Sequence, residues 1–560
     1  MYRARPERMP YQAVALTLSL LLVACGNQGT ATPTAEPESS GTEPDASAPQ
    51  GGGTISVGWE ADIQSMDPAI AYDYVSIPAV HYVFETLIGY DNGTTLVPLL
   101  AEEMPTVSDD GRTYTFSLRS GVNFVNPDGS VLREMTAADV VFSLNRVLNP
   151  NLTPSPSPVA SSFFAQIDGA QAVLDGEAEE AAGIVEVDDL TVEITIAAPN
   201  RAFLNVLAMT FGSVVPAGEA GTDTVAFSEA PIGTGPYYLA SYTSGEAAQL
   251  VRNPHYWGTM PAIAGIDYLV GVDTVTQTQR AQANELDLMG DSVPTGSLPD
   301  VRDNPDYADR LIEQAIVAVN YVAIDATIED PPLNDVLVRQ ALNHAIDKEN
   351  LVQVIGGRGE PAHCIFPPAV EAFDPDCQPY DYDPDRAREL LAEAGVPDGF
   401  STRYLTDTTE DSVALAQAIQ QDLAEVGIEI EIVTQEFDVL LETMIEPQAA
   451  PLLGIGWFQD YPDPSDFYDP ILSCAAVAAG YNSSWSCNEE ADAIAAEALS
   501  MEDTDARNEA YREVQRLVME DALWVPTFFP QVTHLTSERL DGEYFHPVWF
   551  WEVVDYSLSE

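Results

Sequence analysis

Apolar and polar residues follow two periods along this chain, and the two periods predict strands and helices respectively. Strict alternation predicts β-strands over residues 54–57, 111–118, 190–196 and 428–433. Apolar residues at helical spacing predict helices that include residues 80–87, 140–148, 337–346 and 505–520. Because strands and helices are interspersed along the chain, the predicted fold is of the mixed α/β class.

Residues that cap helices support several of these predicted helix starts. Thr136 and Asp139 form the pattern of a capping box, with Asp in place of the usual Glu. Asn334 is a candidate cap for the helix that follows it. Asp383 and Pro384 have the order of an N-cap and a first helical residue.

The segment from residue 451 to residue 464 combines a predicted strand with an aromatic and acidic loop. An apolar run over residues 451–455 predicts a short buried strand, and two prolines stop regular structure soon after it. Trp457, Asp460 and Tyr461 therefore fall at the end of a strand, on a stiff loop. A carboxylate beside aromatic rings suits the capture of an ammonium group through a charge-assisted hydrogen bond and cation–π contact. The alternative is a surface turn in which the two rings only fill the edge of a core.

The charge of the chain is strongly negative. Of its 560 residues, 89 are acidic and 22 are Lys or Arg, so the formal net charge is −67, and Lys348 is the only lysine. Nucleic acid is excluded as a partner, because phosphate binding requires a basic face. A hydrophobic content of 46% is enough for large cores and excludes a disordered chain. The acidity indicates either a uniformly solvated surface or a protein that works in high salt.

Residues 1–25 resemble a bacterial lipoprotein signal. Arg3, Arg5 and Arg8 precede an apolar run over residues 13–24, which is too short to span a bilayer. The run ends directly before Cys25, where a lipoprotein thiol is lipidated and becomes the new N-terminus. Each acyl CH₂ contributes about 0.8 kcal/mol to membrane binding, so we expect a lipid anchor at Cys25. The alternative is an ordinary signal peptide with an incidental cysteine.

Residues 26–53 are rich in Thr, Pro, Ser, Gly, Glu and Ala, which predicts a flexible tether. No later segment reaches the run of about 18 apolar residues that a membrane helix needs. Signal, lipid and tether together predict a folded domain outside the cytoplasm, held at the cell membrane in the periplasm or at the outer face.

Four further cysteines form two sequential pairs of equal spacing: Cys364 with Cys377, and Cys474 with Cys487. In an oxidising compartment an even number of cysteines indicates disulfides. Three pairings are possible, and we predict the local one. A zinc site is the alternative, but the spacings contain no C-x-x-C element.

No motif of an enzyme or of a metal site is present in the sequence. The chain lacks G-x-S-x-G, H-E-x-x-H, a Walker A motif and a G-x-G-x-x-G after a strand. The six histidines show no ligand spacing on one helix face. In so acidic a chain, Asp463 near Asp460 carries no weight for acid–base catalysis. We therefore predict no enzyme activity, no metal and no cofactor.

Several segments, taken in order, resemble the extracellular solute-binding proteins of family 5, the peptide/nickel-type receptors of ABC importers. The matching segments are residues 96–102, 111–121, 136–146, 232–237, 252–257, 335–347 and 457–464. One such segment alone would be weak evidence for the resemblance. The ordered set is strong evidence, because it spans nearly all of residues 54–560.

The resemblance implies a two-lobed, periplasmic-binding-protein-like clamshell with an additional inserted domain (type II, cluster C-like). The implied parts are a first lobe of residues 54–88, 230–315 and 525–560, an inserted domain of 89–229, and a second lobe of 316–524. Ligand would bind between the lobes, which close around it, and a membrane permease would then bind the closed form.

The resemblance also implies the site. In peptide-binding members, the Asp after the Trp holds the α-ammonium of the peptide, and by position this is Asp460. Trp457 and Tyr461 would lie along the ligand, and Tyr72 and Tyr74 would face it from the first lobe. The implied protein is a monomeric peptide receptor for an ABC permease.

The sequence leaves alternatives for the ligand and for the class of protein. The family also binds nickel complexes, sugars, opines and haem. Outside the family, the alternatives are a secreted hydrolase and an adhesion or signalling lipoprotein with an inactive cleft.

Overall fold

The computed structural model describes residues 52–559. The predicted signal of residues 1–25, its candidate lipidation site Cys25 and residues 26–51 of the predicted tether lie outside the described residues. Among residues 52–559, no helix combines the length and the apolar character that crossing a bilayer requires.

The first lobe is built on a five-stranded mixed sheet. In spatial order its strands are Tyr237–Thr243, Ala247–Arg252, Gly265–Leu269, Thr54–Gly58 and Leu288–Met289. The strand Thr54–Gly58 is parallel to both of its neighbours. Ile55 and Val57 point into the core beside Ile266, which is why the strand alternates as the sequence predicted.

The second lobe is built on a seven-stranded sheet. Along the main path its strands are Leu311–Ala315, Trp524–Leu535, Ala318–Ile324, Leu452–Phe458, Phe400–Asp407 and Ile428–Gln435, with Gly359–Pro361 paired to the second of these. Two apolar cores cover its two faces, one around Leu453 and Trp524 and the other around Leu342 and Leu423. The central strand Ala318–Ile324 is accordingly buried at six of its seven positions, whereas the edge strand Ile428–Gln435 alternates between buried Ile and exposed Glu at its start.

An inserted domain lies between the first and second strands of the first lobe in chain order. Its four-stranded antiparallel sheet has the order Thr106–Val107, Thr113–Ser117, Thr191–Thr195 and Ile184–Asp188. Further antiparallel pairs are Ile88–Tyr90 with Leu96–Pro98, Asn123–Val125 with Val131–Glu134, Leu540–Asp541 with Ser557–Leu558, and Phe545–His546 with Phe550–Trp551.

The α-helices surround these sheets. In the first lobe and the inserted domain they are Ser76–Val83, Ala137–Leu148, Ala170–Leu174, Phe203–Ala208, Thr224–Glu229, Thr274–Gln282 and Leu298–Arg302. In the second lobe they are Val336–Ala345, Lys348–Val354, Pro384–Glu393, Glu410–Glu425, Phe437–Met444, Cys474–Ala479, Glu489–Ala498 and Thr504–Asp521.

The strand Trp524–Leu535 belongs to both lobes. Its first half pairs with Ala318–Ile324, and its last five residues pair with Leu311–Ala315. Trp524 is buried in a core of the second lobe, whereas Leu535 packs in a cluster with Met289 of the first lobe. The lobes are therefore joined by paired strands, and the chain passes between them near residues 316 and 530.

The predicted helix caps are confirmed at two sites and wrong at one. The capping box of Thr136 and Asp139 is present, and Asp383 accepts a hydrogen bond from the N–H of Arg386. The helix predicted to follow Asn334 is capped by Asp335 instead. Asp and Asn are equally good caps, so the sequence could not decide between neighbours.

Candidate functional site

A central strand of the second lobe carries the aromatic and acidic loop. The strand Leu452–Phe458 pairs with Ala318–Ile324 over its whole length, so it extends through Trp457, further than the apolar run predicted. Its last two residues, Trp457 and Phe458, are aromatic residues that favour strands, and they pair with Val319 and Ala318. Asp460 follows two residues later, on the turn that leads to the 3-10 helix Pro464–Phe467.

Asp460 meets Tyr72 across the boundary between the lobes. The hydroxyl of Tyr72 donates a hydrogen bond to Asp460 Oδ1 at 2.7 Å, although 388 positions separate the two residues in sequence. Tyr72 is 46% exposed, and its ring contacts Phe211 of the inserted domain at 5.6 Å between ring centroids. The sequence-predicted residues Asp460 and Tyr72 are therefore brought together, at a point where all three parts of the molecule meet.

The environment of Asp460 opposes its negative charge. Burial raises the pKa of Asp460 to about 7, while the hydrogen bond from Tyr72 acts in the opposite direction. Burial, followed by the charge of Asp460, raises the pKa of the Tyr72 hydroxyl far above its usual value. A carboxylate that is removed from water in this way gains strongly from an external cation.

Asp466 stabilises the turn that carries Asp460 through two hydrogen bonds. Its Oδ2 accepts hydrogen bonds from the indole N–H of Trp457 at 3.2 Å and from the backbone N–H of Asp460 at 3.0 Å. Burial and the neighbouring charge of Asp460 raise the pKa of Asp466 well above its usual value. Trp457, half-buried, is thereby fixed beside the turn that carries Asp460.

The other two predicted site residues lie apart from Asp460 Oδ1 and Tyr72. Tyr461 is 5% exposed and packs against Phe163 of the inserted domain, with ring centroids 5.8 Å apart. Tyr74 is 47% exposed and contacts the ring of Trp59 at 5.9 Å. Burial, followed by the charge of Asp291, raises the pKa of Tyr74 to about 12.

Further contacts hold the lobes and the inserted domain against each other. Arg201 of the inserted domain donates to the carbonyl of Glu502 and the hydroxyl of Thr504 in the second lobe, both at 2.7 Å. Thr295 of the first lobe donates to Asp411 Oδ1 at 2.7 Å. Asp411 is also paired with Arg358. The lobes and the inserted domain are thus in direct contact at these further points.

Both disulfides join the cysteines that the sequence paired locally. Cys364 is bonded to Cys377, and Cys474 is bonded to Cys487. The second bridge closes the segment directly after the Asp460 turn. It carries Tyr481, which is 55% exposed and is one of the groups that raise the pKa of Tyr72.

Sequence reasoning missed Asp466 and the ion pair behind the turn. Asp463 accepts from Arg507 at 2.7 Å, and Arg507 is 1% exposed, so this pair is internal. The available signal was the spacing of Asp460, Asp463, Asp466 and Asp469, which recur at every third position. In a chain with 89 acidic residues that regularity does not stand out.

Two lobes joined by paired strands, with a half-buried carboxyl group between them, define a solute-binding protein that encloses its ligand. The family model for bacterial extracellular solute-binding proteins, family 5, matches residues 95–479. The chain belongs to this family, whose members act outside the cytoplasm.

Curated relatives cover most of the chain. It is 32% identical to the dipeptide-binding protein of Escherichia coli over 80% of this chain and 83% of that protein. It is 31% identical to haem-binding protein A of Haemophilus influenzae, over 79% and 81% respectively.

Solved structures share the two-lobed fold. The periplasmic binding protein DppA of Helicobacter pylori, in complex with the peptide STSA, has a TM-score of 0.77 and 25% identity, covering 91% of this chain and 99% of that one. The dipeptide-binding protein of Pseudoalteromonas sp. SM9913, in complex with Met-Leu, has a TM-score of 0.76 and 25% identity, covering 90% and 100%.

Proposed function

We propose that this protein is the receptor of an ABC importer and that it captures short peptides by their α-ammonium group. The observation that carries the proposal is the half-buried Asp460, whose carboxyl group has one oxygen shielded from solvent and is held by Tyr72 between the two lobes with a pKa raised to about 7. An ammonium group entering this position gains a charge-assisted hydrogen bond in surroundings of low dielectric constant. Relatives and solved structures that bind dipeptides and tetrapeptides support peptide as the ligand.

Trp457 and Tyr72 are proposed as walls of the ligand site, with Tyr74 further along the first lobe. Tyr461 positions the Asp460 turn, because its ring packs against the inserted domain. The lobes close over the ligand, and the closed form docks on the permease. The protein acts as a monomer and without catalysis.

We further propose that a lipid on Cys25 anchors the receptor to the cell membrane. The anchor keeps the receptor close to its permease. Fractionation of cells that carry the Cys25→Ser protein tests this, since a protein that stays in the membrane fraction contradicts the anchor.

The proposed receptor function is tested by native mass spectrometry of the purified protein, which identifies any bound ligand, followed by calorimetry with the dipeptide Ala-Leu. Asp460→Asn keeps the shape and removes the charge, and we expect binding to weaken by about 2–5 kcal/mol. Asp438→Asn, at an exposed position of the same lobe, is the matched control and leaves affinity unchanged. Unchanged affinity in Asp460→Asn contradicts the site, and a bound haem or sugar contradicts peptide as the ligand.

A further inference from the structure

Two carboxyl groups of the Asp460 turn each have an oxygen without a hydrogen-bond partner among residues 52–559. These oxygens are Asp460 Oδ2 and Asp466 Oδ1, and both are shielded from solvent. Asp466 is 0% exposed as a residue. Buried polar atoms are nearly always paired, so two unpaired carboxyl oxygens in one turn indicate that the donor comes from a ligand.

The carboxyl groups of Asp460 and Asp466 are close neighbours. Asp466 Oδ2 accepts from the N–H of Asp460 at 3.0 Å, which makes the two groups direct neighbours. The hydroxyl of Tyr72, which donates to Asp460, is also influenced by the charge of Asp466. The two carboxyl groups and the Tyr72 hydroxyl therefore lie close to one another at the Asp460 turn.

The charges behind the turn do not neutralise this pair. Arg507 is engaged by Asp463, and the partner of Asp460 Oδ1 is the uncharged hydroxyl of Tyr72. The titratable groups around the pair are Tyr72 of the first lobe, Tyr90 of the inserted domain, and Tyr461, Asp463 and Asp469 of the second lobe. Burial and mutual repulsion raise the pKa of Asp466, as expected for neighbouring carboxyl groups that lack a cation.

We propose that Asp466 is a second acid of the ligand site, and that Asp460 Oδ2 and Asp466 Oδ1 each accept one N–H of the ligand's ammonium group. This inference rests on the proposed function, because it assumes that an ammonium binds at Asp460. A clamp of two acceptors selects amines that keep at least two N–H bonds. Primary and secondary amines meet this condition, whereas a tertiary amine carries the same charge with only one N–H bond.

The first test compares Asp466→Asn with Asp469→Asn by calorimetry with Ala-Leu at pH 8. In the first variant, the oxygen of the new amide side chain can still accept from Trp457 and Asp460, while its NH₂ group replaces the acceptor that faces the ligand. We expect at least a tenfold loss of affinity, on the order expected for a lost charged hydrogen bond. Asp469→Asn removes a half-buried carboxyl of the same loop, and we expect less than about a threefold change there.

Equal losses of affinity in both variants would mean that only the overall negative potential of the loop contributes to binding. That result would overturn the clamp. Unchanged affinity in Asp466→Asn would leave Asp466 as a support of the turn, and would also overturn it. If the unmodified protein binds no peptide, the proposed function itself fails. Thermal unfolding of each variant verifies that it is folded.

The second test uses the unmodified protein, so it does not depend on a variant. Ala-Leu and its N-methyl form keep two or more N–H bonds, and we expect their affinities to agree within a few-fold. The N,N-dimethyl form keeps the charge but has one N–H bond, and we expect it to bind at least about tenfold more weakly. Equal binding of all three peptides would contradict the clamp while leaving the receptor function intact.

Discussion

At the scale of single residues, the proposed ammonium site makes ligand binding depend on the protonation of Asp460. The free protein holds this carboxyl with a pKa raised to about 7 by burial, and a bound ammonium lowers that pKa because it favours the charged form. Because the α-amino group of the peptide loses its proton near pH 8, binding is strongest between about pH 7 and pH 8. We expect the affinity to fall by up to about tenfold per pH unit below pH 7, and to fall again above pH 8. Calorimetry of Ala-Leu binding between pH 5 and pH 9 measures this dependence.

The Tyr72→Phe variant tests whether Asp460 is the group whose titration sets the pH dependence. The hydroxyl of Tyr72 holds the pKa of Asp460 down, so its removal should move the midpoint of the pH dependence upward. A midpoint that stays in place, or an affinity that rises as the pH falls below 7, would show that another group titrates.

At the scale of elements, the strand Leu452–Phe458 fixes where Asp460 lies. Gly454 is packed so closely that an added Cβ would come within 2.0 Å of the hydroxyl of Tyr404, which is 3% exposed. Gly454→Ala forces the two strands apart, and we expect it to lower the free energy of unfolding by about 1–3 kcal/mol. Denaturant unfolding measures this loss.

Gly456→Ala in the same strand is the matched control. Its added Cβ would meet only the end of the half-buried Asn320 side chain, at 2.8 Å, and that side chain can rotate. We expect a smaller loss of stability than for Gly454→Ala. Equal losses would indicate that glycine is needed there for the backbone and not for the close approach of Tyr404.

At the scale of the whole molecule, the net charge of −67 opposes the compact state. Salt screens repulsion between exposed charges, with a Debye length of about 10 Å at 0.1 M and about 3 Å at 1 M. We expect the melting temperature to rise as NaCl increases from low concentration to about 1 M. Differential scanning calorimetry measures this rise.

Choline chloride at the same ionic strength is the control, because screening does not depend on the identity of the cation. A melting temperature that does not change with salt would show that the acidic surface is stable without screening. A rise with NaCl alone would indicate specific binding of sodium.

Several features of this protein could be predicted because they are local in sequence. The alternation at residues 54–57 and the capping box at Thr136 are set by neighbouring residues, and both are present in the structure. The two disulfides each close a short segment, so the local pairing required little knowledge of the fold. The position of Asp460 at the end of a strand followed from one apolar run and two prolines.

The structure alone decided what depends on distant contacts. Asp460 and Tyr72 are 388 positions apart, and only the packing of the lobes brings them to 2.7 Å. The same packing buries Tyr461 against the inserted domain and leaves Asp466 Oδ1 without a hydrogen-bond partner among residues 52–559. A sequence shows which groups can ionise, but burial sets their pKa, and burial is a property of the folded molecule.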